Sequence, residues 1–115
     1  VDGALKYMKG VRFVPPRPHK YGAKGTVVDG ILFASKKEAA YYATLKMRQD
    51  SGELRCFLRQ VPVHLPGGTK LVVDFVEFWT NGDVRFVDVK GVITEGFKIK
   101  RREVEHHYPF TIEVV

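Results

Sequence analysis

Hydrophobic and polar positions change their period several times along these 115 residues, and each change marks an element. Val27-Val28 and Ile31-Leu32-Phe33 flank Asp29-Gly30, a pair that favours a two-residue turn, so residues 26–33 are predicted to form a short hairpin. Ser35 opens a helix, with Glu38 at the S-x-x-E spacing of a capping box. That helix runs to about Asp50 and stops at Ser51-Gly52. Residues 54–65 predict a strand that Pro62 confines to an edge or a bulge, and Pro66-Gly67-Gly68 reads as a turn. Two further strands, 71–79 and 84–90, are joined around Thr80-Asn81-Gly82-Asp83. A charged helix over 95–107 ends at Tyr108-Pro109, and Phe110, Ile112 and Val114 alternate as a last strand. The order ββ-α-β-β-β-α-β predicts an α/β or α+β sandwich of a mixed sheet with helices, and the length predicts one domain.

Residues 1–24 stand apart. Lys6, Lys9, Arg12, Arg17, Lys20 and Lys24 face a single acid, Asp2, and Pro15, Pro16 and Pro18 exclude a helix. Tyr7, Phe13 and Tyr21 are interleaved with the cations. The segment is either an arm whose cations meet phosphates and whose aromatics meet bases or sugars, or a solvated leader. The chain is therefore divided into a basic arm, 1–24, and a folded domain, 25–115.

Composition narrows the classes. No apolar run approaches a membrane span, and no apolar h-region marks a secretory signal. The single cysteine, Cys56, excludes an internal disulfide framework and a Cys-rich zinc site; it is expected in the core of a protein from a reducing cytoplasm. Lysine and arginine number 19 against 13 acids, with a pI near 9.6. That excess favours a polyanionic partner, nucleic acid before a membrane surface.

The candidate chemistry lies in Asp74 and the run Asp88-Val89-Lys90. Side chains of a strand alternate, so Asp88 and Lys90 share a face. A two-residue Asn81-Gly82 loop would set Asp74 against Val89. A three-residue loop, Thr80-Asn81-Gly82, sets Trp79 against Asp83, Glu77 against Arg85, and Asp74 directly against Asp88. The Glu77–Arg85 match favours the second register. Two opposed carboxylates repel unless one is protonated or both share a cation, and hard oxygen ligands suit magnesium or manganese. Lys90 can hold an attacking water or offset charge on a phosphate. Together these are parts of metal-assisted phosphodiester hydrolysis.

Other residues carry two readings. Glu38 either completes the capping box or supplies a further acid. Gln60 either holds a metal-bound water or is exposed on an edge. Lys98, Lys100, Arg101 and Arg102 form either a solvated helix face or a DNA-backbone contact. His106 and His107 diverge by about 100° on a helix, which fits a helix C-terminus better than a shared ion. His19 and His64 belong to no constellation.

The order Glu38 … Asp74 … Asp88-x-Lys90 resembles the PD-(D/E)xK nuclease superfamily, with Val73 where a proline usually precedes the first aspartate. K-Y-G-A-K (20–24), V-D-G-I-L-F-A-S-K-K-E-A (28–39), V-D-F-V (73–76) and V-D-V-K-G (87–91) are similar to a family of small phage-encoded nucleases, over roughly residues 20–115. Phage endonuclease-I and archaeal Holliday junction resolvases are more distantly similar. The resemblance implies an α/β, restriction-endonuclease-like fold, a central mixed sheet flanked by helices. It implies Glu38, Asp74 and Asp88 as metal-site acids, with Val89 in the metal set, and Lys90 as the catalytic lysine. Lys20, Lys24, Lys36, Lys37 and the basic run of 98–102 become candidates for contact with DNA. The function expected is a magnesium- or manganese-dependent DNA endonuclease, structure-selective on branched DNA, in phage DNA processing in the host cytoplasm. Two-fold symmetry of a four-way junction predicts a homodimer, with Tyr41, Tyr42, Leu45, Val27, Ile31 and Phe33 either at its interface or packing the monomer core, the core being the better reading for Leu45 and Phe33.

Overall fold

The computed structural model describes residues 25–115. The arm readings of 1–24 lie outside these residues. The chain divides into two compact units, up to Ala43 and from Thr44 to Val115.

In the first unit β1 (Thr26–Val28) and β2 (Ile31–Phe33) pair antiparallel with Val28 opposite Ile31. Asp29 (φ 52°) and Gly30 (φ 75°) both occupy the left-handed region that the two-residue turn requires. Tyr42 Oη donates to Asp29 Oδ2 at 3.0 Å, and the Tyr42 ring lies 5.0 Å from that of Phe33. The hairpin forms its own two-stranded sheet. Helix α1 (Lys36–Asp50) starts as predicted, since Ser35 Oγ accepts the Glu38 N–H at 3.1 Å. It ends at Gly52, whose φ of 85° only glycine adopts readily.

The second unit contains β3 (Leu54–His64), β4 (Lys70–Trp79), β5 (Val84–Asp88), helix α2 (Glu95–His107) and β6 (Ile112–Val114). The sheet order is β3-β4-β5-β6. The first three strands form an antiparallel meander, and β6 returns parallel to β5 after α2. The α/β fold with a mixed sheet is thus observed. Pro62 lies on the edge strand β3, where a missing N–H breaks no inner ladder. Thr94 caps α2, its side chain accepting the Phe97 N–H at 3.2 Å. Phe97 and Val104 of α2 pack with Val63, Val73, Val76 and Ile112 of the sheet.

Two expectations are corrected. Cys56 is exposed, not in the core. A register shift between Leu54 and Cys56 interrupts the alternation, so buried Leu54 and Cys56 no longer share an environment. Tyr42 is buried and so is not available as dimer surface, whereas Val27 is exposed; Phe33 and Leu45 are in the core, as the better of their two readings has it.

Candidate functional site

The β4–β5 connection fixes the site. Gly82 N donates to the Trp79 carbonyl at 3.0 Å, Gly82 takes φ 96°, and Trp79 N donates to the Asp83 carbonyl at 2.9 Å. This is the three-residue loop with a left-handed glycine. The pairs Phe78–Val84, Glu77–Arg85, Val76–Phe86 and Phe75–Val87 follow. One position further, Asp74 faces Asp88, as the charge pairing predicts.

At that position side chains replace the backbone ladder. Asp88 Oδ1 accepts the Asp74 N–H at 2.9 Å, and Asp74 Oδ2 accepts the Val89 N–H at 2.9 Å. Asp88 is fully buried and Asp74 half-buried. Burial, joined by the nearby charge of Asp74, pushes the Asp88 carboxyl up from its ordinary 3.8 to about 6. The Asp74 N–H and the charge of Lys90 pull in the other direction. Asp88 Oδ2 is buried and accepts no hydrogen bond. A buried carboxylate oxygen without a donor is costly, and a proton or a cation there removes the cost.

Gln60 completes the surroundings of Asp74. It occupies the β3 position between Arg59, which faces Phe75, and Val61, which faces Val73. Its φ of 52° puts a non-glycine residue in the left-handed region, at a cost on the order of 1–2 kcal/mol. Its Nε2 reaches Asp74 Oδ1 at 3.3 Å. Gln60 is thus exposed on the edge strand and donates to the acid.

Lys90 is half-buried, with Nζ 4.4 Å from the centre of the Phe97 ring. A cation over a ring face is attracted by its quadrupole, so Phe97, in the first turn of α2, seats Lys90. The Lys90 N–H donates to the Val115 carbonyl at 3.1 Å, and Val115 N–H donates to the Asp88 carbonyl at 3.0 Å. The backbone of the D-x-K run is thereby held by the residue after β6. Val89 is buried and apolar, so only its carbonyl oxygen is suited to a metal. Neither Phe97 nor Val115 was singled out by sequence; both depend on the α2 crossover, which no local pattern encodes.

The remaining candidates are more dispersed. Glu38 is buried in the first turn of α1, where its backbone N–H makes the capping bond and leaves the carboxylate out of that bond. It belongs to the other compact unit. Among the described residues no group of three or more His, Cys, Asp or Glu side chains gathers to hold a metal. The acids brought together are the pair Asp74 and Asp88. Their carboxylate oxygens, one of them the unpartnered Asp88 Oδ2, are hard donors of the kind magnesium or manganese takes.

Lys98, Arg101, Arg102 and Glu105 line one depression of about 250 Å³ on α2. Lys98 pairs with Glu95 at 3.1 Å and Arg101 with Glu105 at 3.3 Å. Lys100 is exposed on the helix but does not line that depression, and Lys36 and Lys37 are exposed at the start of α1. Lys20 and Lys24 lie outside the described residues. His106 and His107 meet edge to face, 5.0 Å apart, in the last turn of α2.

Among the described residues, no helix is long and apolar enough to cross a membrane. Residues 18–113 match the family described as "Protein of unknown function (DUF1064)". No curated protein and no solved structure matches the chain.

Proposed function

We propose that this chain, which belongs to the DUF1064 family, is a metal-dependent DNA endonuclease selective for branched DNA. The observation that carries the reading is Asp88: a buried carboxylate with one unpartnered oxygen, opposed to Asp74 and two residues from Lys90. Such an arrangement is poor as a mere structural ion pair and suited to a divalent cation.

Asp74, Asp88 and the Val89 carbonyl would hold magnesium or manganese, which supplies charge stabilisation to the phosphate and the leaving oxygen. Asp74 is oriented for this by two donors, Gln60 Nε2 and the Val89 N–H. Lys90, seated on Phe97, offers an ammonium to the attacking water or to a phosphate oxygen. Gln60 holds a water beside Asp74. Glu38 is a further acid of the reading. Arg101, Arg102, Lys98 and Lys100 meet the DNA backbone, with Lys36 and Lys37 as further contacts. Opposed cuts at a four-way junction would take two copies, a homodimer acting in the host cytoplasm on phage DNA.

The test is cleavage of a supercoiled plasmid and a synthetic four-way junction with and without magnesium. The expected result is magnesium-dependent cuts, preferring the junction, that disappear in Asp88→Asn and Lys90→Ala. Nicking of the plasmid with no junction preference would favour a sequence-tolerant duplex nuclease. DNA binding with no cleavage under either magnesium or manganese would reduce the chain to a binding module.

A further inference from the structure

Between Lys90 and the body of α2 runs a four-residue segment, Gly91-Val92-Ile93-Thr94. It carries two large apolar side chains that the fold does not bury: Val92 is 79% exposed and Ile93 45%. Ile99, on α2, is 51% exposed. The usual structural use of an apolar residue just before an N-cap is a staple against the fifth residue on. Thr94 is the N-cap, so that partner position is Lys98, which already pairs with Glu95. The helix therefore offers Ile93 no apolar staple partner.

Along the chain these side chains lie among cations. From Lys90 to Arg102 it carries five cations and one acid, Glu95, with Glu103 and Glu105 beyond; Lys98 pairs with Glu95 and Arg101 with Glu105. Exposed apolar groups framed by positive charge complement a polyanion that also has apolar surfaces, as nucleic-acid bases do. An apolar protein partner would gain nothing from that frame.

We infer that Val92 and Ile93 form a wedge that enters the base stack of DNA beside the scissile phosphate. Aliphatic wedges of this kind unstack a base step and kink the duplex, and a step already loosened at a branch costs least to open. The inference rests on DNA being the substrate and names how the site selects among DNA forms. Chain length sets its reach. Val92 is two residues from Lys90, so their Cα atoms are at most about 7 Å apart, about two base-pair steps at 3.4 Å each. The opened step therefore lies within about two to three nucleotides of the cut.

The experiment uses the full chain and a four-way junction carrying 2-aminopurine at successive positions around the branch, without divalent metal, so that it reads unstacking independently of cleavage. The wild type should raise the fluorescence at one or two positions by severalfold. The double variant Val92→Ser, Ile93→Ser, substituted at exposed positions, should keep its melting temperature and bind within about threefold, yet lose that rise. An undiminished rise in the variant overturns the wedge, as does wild-type binding with no rise at any position. Sedimentation run alongside distinguishes a second occupant: if the double variant turns a dimer into a monomer, the patch is a self-interface and the wedge is overturned. Magnesium-dependent cleavage with no unstacking would remove the wedge and leave the nuclease reading standing. Unstacking without cleavage would do the reverse.

Discussion

Asp88 Oδ1 accepts the backbone N–H of Asp74 across the β4–β5 pair at 2.9 Å. The bond does more than join two strands: it uses one oxygen of a buried carboxylate and leaves the other without a donor. The fold therefore keeps Asp88 in place while leaving it electrostatically incomplete. That state has consequences in the absence of any substrate.

The first concerns stability against pH. The Asp88 carboxyl is raised to about 6, mainly by burial, against 3.8 in the unfolded chain. The folded state holds the proton more tightly, so this contribution is fully present below pH 3.8 and is lost as pH rises through about 6. At 1.36 kcal/mol per unit the loss is up to about 3 kcal/mol. Urea unfolding in EDTA, compared between wild type and Asp88→Asn, isolates it: the difference between the two should change across pH 4–6 and be flat above pH 7. Parallel profiles would mean that Asp88 ionises normally.

Divalent metal should compete with that same proton. Below pH 6 magnesium binding releases up to one proton, and affinity rises with pH until it levels above about 6. Calorimetry at pH 5.5 in two buffers of different ionisation enthalpy measures the release. Asp88→Asn should abolish it, and Asp74→Asn should weaken binding. Buffer-independent heats would count against Asp88 as a ligand.

Gln60 separates stability from activity. Gln60→Gly removes the left-handed penalty and should stabilise the fold by up to about 1 kcal/mol. It also removes the donor to Asp74 Oδ1, and a hydrogen bond to a charged group corresponds to about tenfold in rate or more. A variant that melts higher and cleaves about tenfold more slowly is the expected outcome. Unchanged cleavage would return Gln60 to a purely conformational role.

The α2 cations should act by charge alone. Replacing Lys98, Arg101 and Arg102 with glutamine should weaken binding to every duplex sequence and lower the salt slope by up to about 0.9 for each phosphate that is no longer neutralised. The cost to the fold is small, because Glu105 still accepts the Ile112 N–H at 2.8 Å without Arg101. An unchanged slope would show that this face does not touch DNA.

What could be read from the sequence followed local rules. Asp29-Gly30 specifies a turn by its backbone preference, and the Glu77–Arg85 match selects the register that opposes Asp74 to Asp88. Features that depend on distant chain were not legible. Glu113 joins Arg85, which is 3.9 Å from buried Glu77, in a ladder across β4, β5 and β6, because the parallel register is set by the packing of α2 rather than by a turn. The Phe97 seat of Lys90 arises in the same way. Gln60 is recognisable as a polar residue in an apolar strand, but a φ of 52° is imposed by the sheet and has no residue signature.

The bonds between Val115 and the Asp88–Lys90 backbone also tie the acid pair and the lysine to contacts of different sequence separation. The β3–β4–β5 meander closes through short turns and can form early, bringing Asp74 and Asp88 together. β6 must wait for the whole α2 crossover before it can pair with β5, and only then does Val115 reach Lys90. The acid pair thus needs only the meander, whereas the backbone hold on Lys90 needs the crossover as well. On the proposed nuclease reading, loosening β6 would disturb the setting of the lysine while sparing the pairing that opposes the two acids.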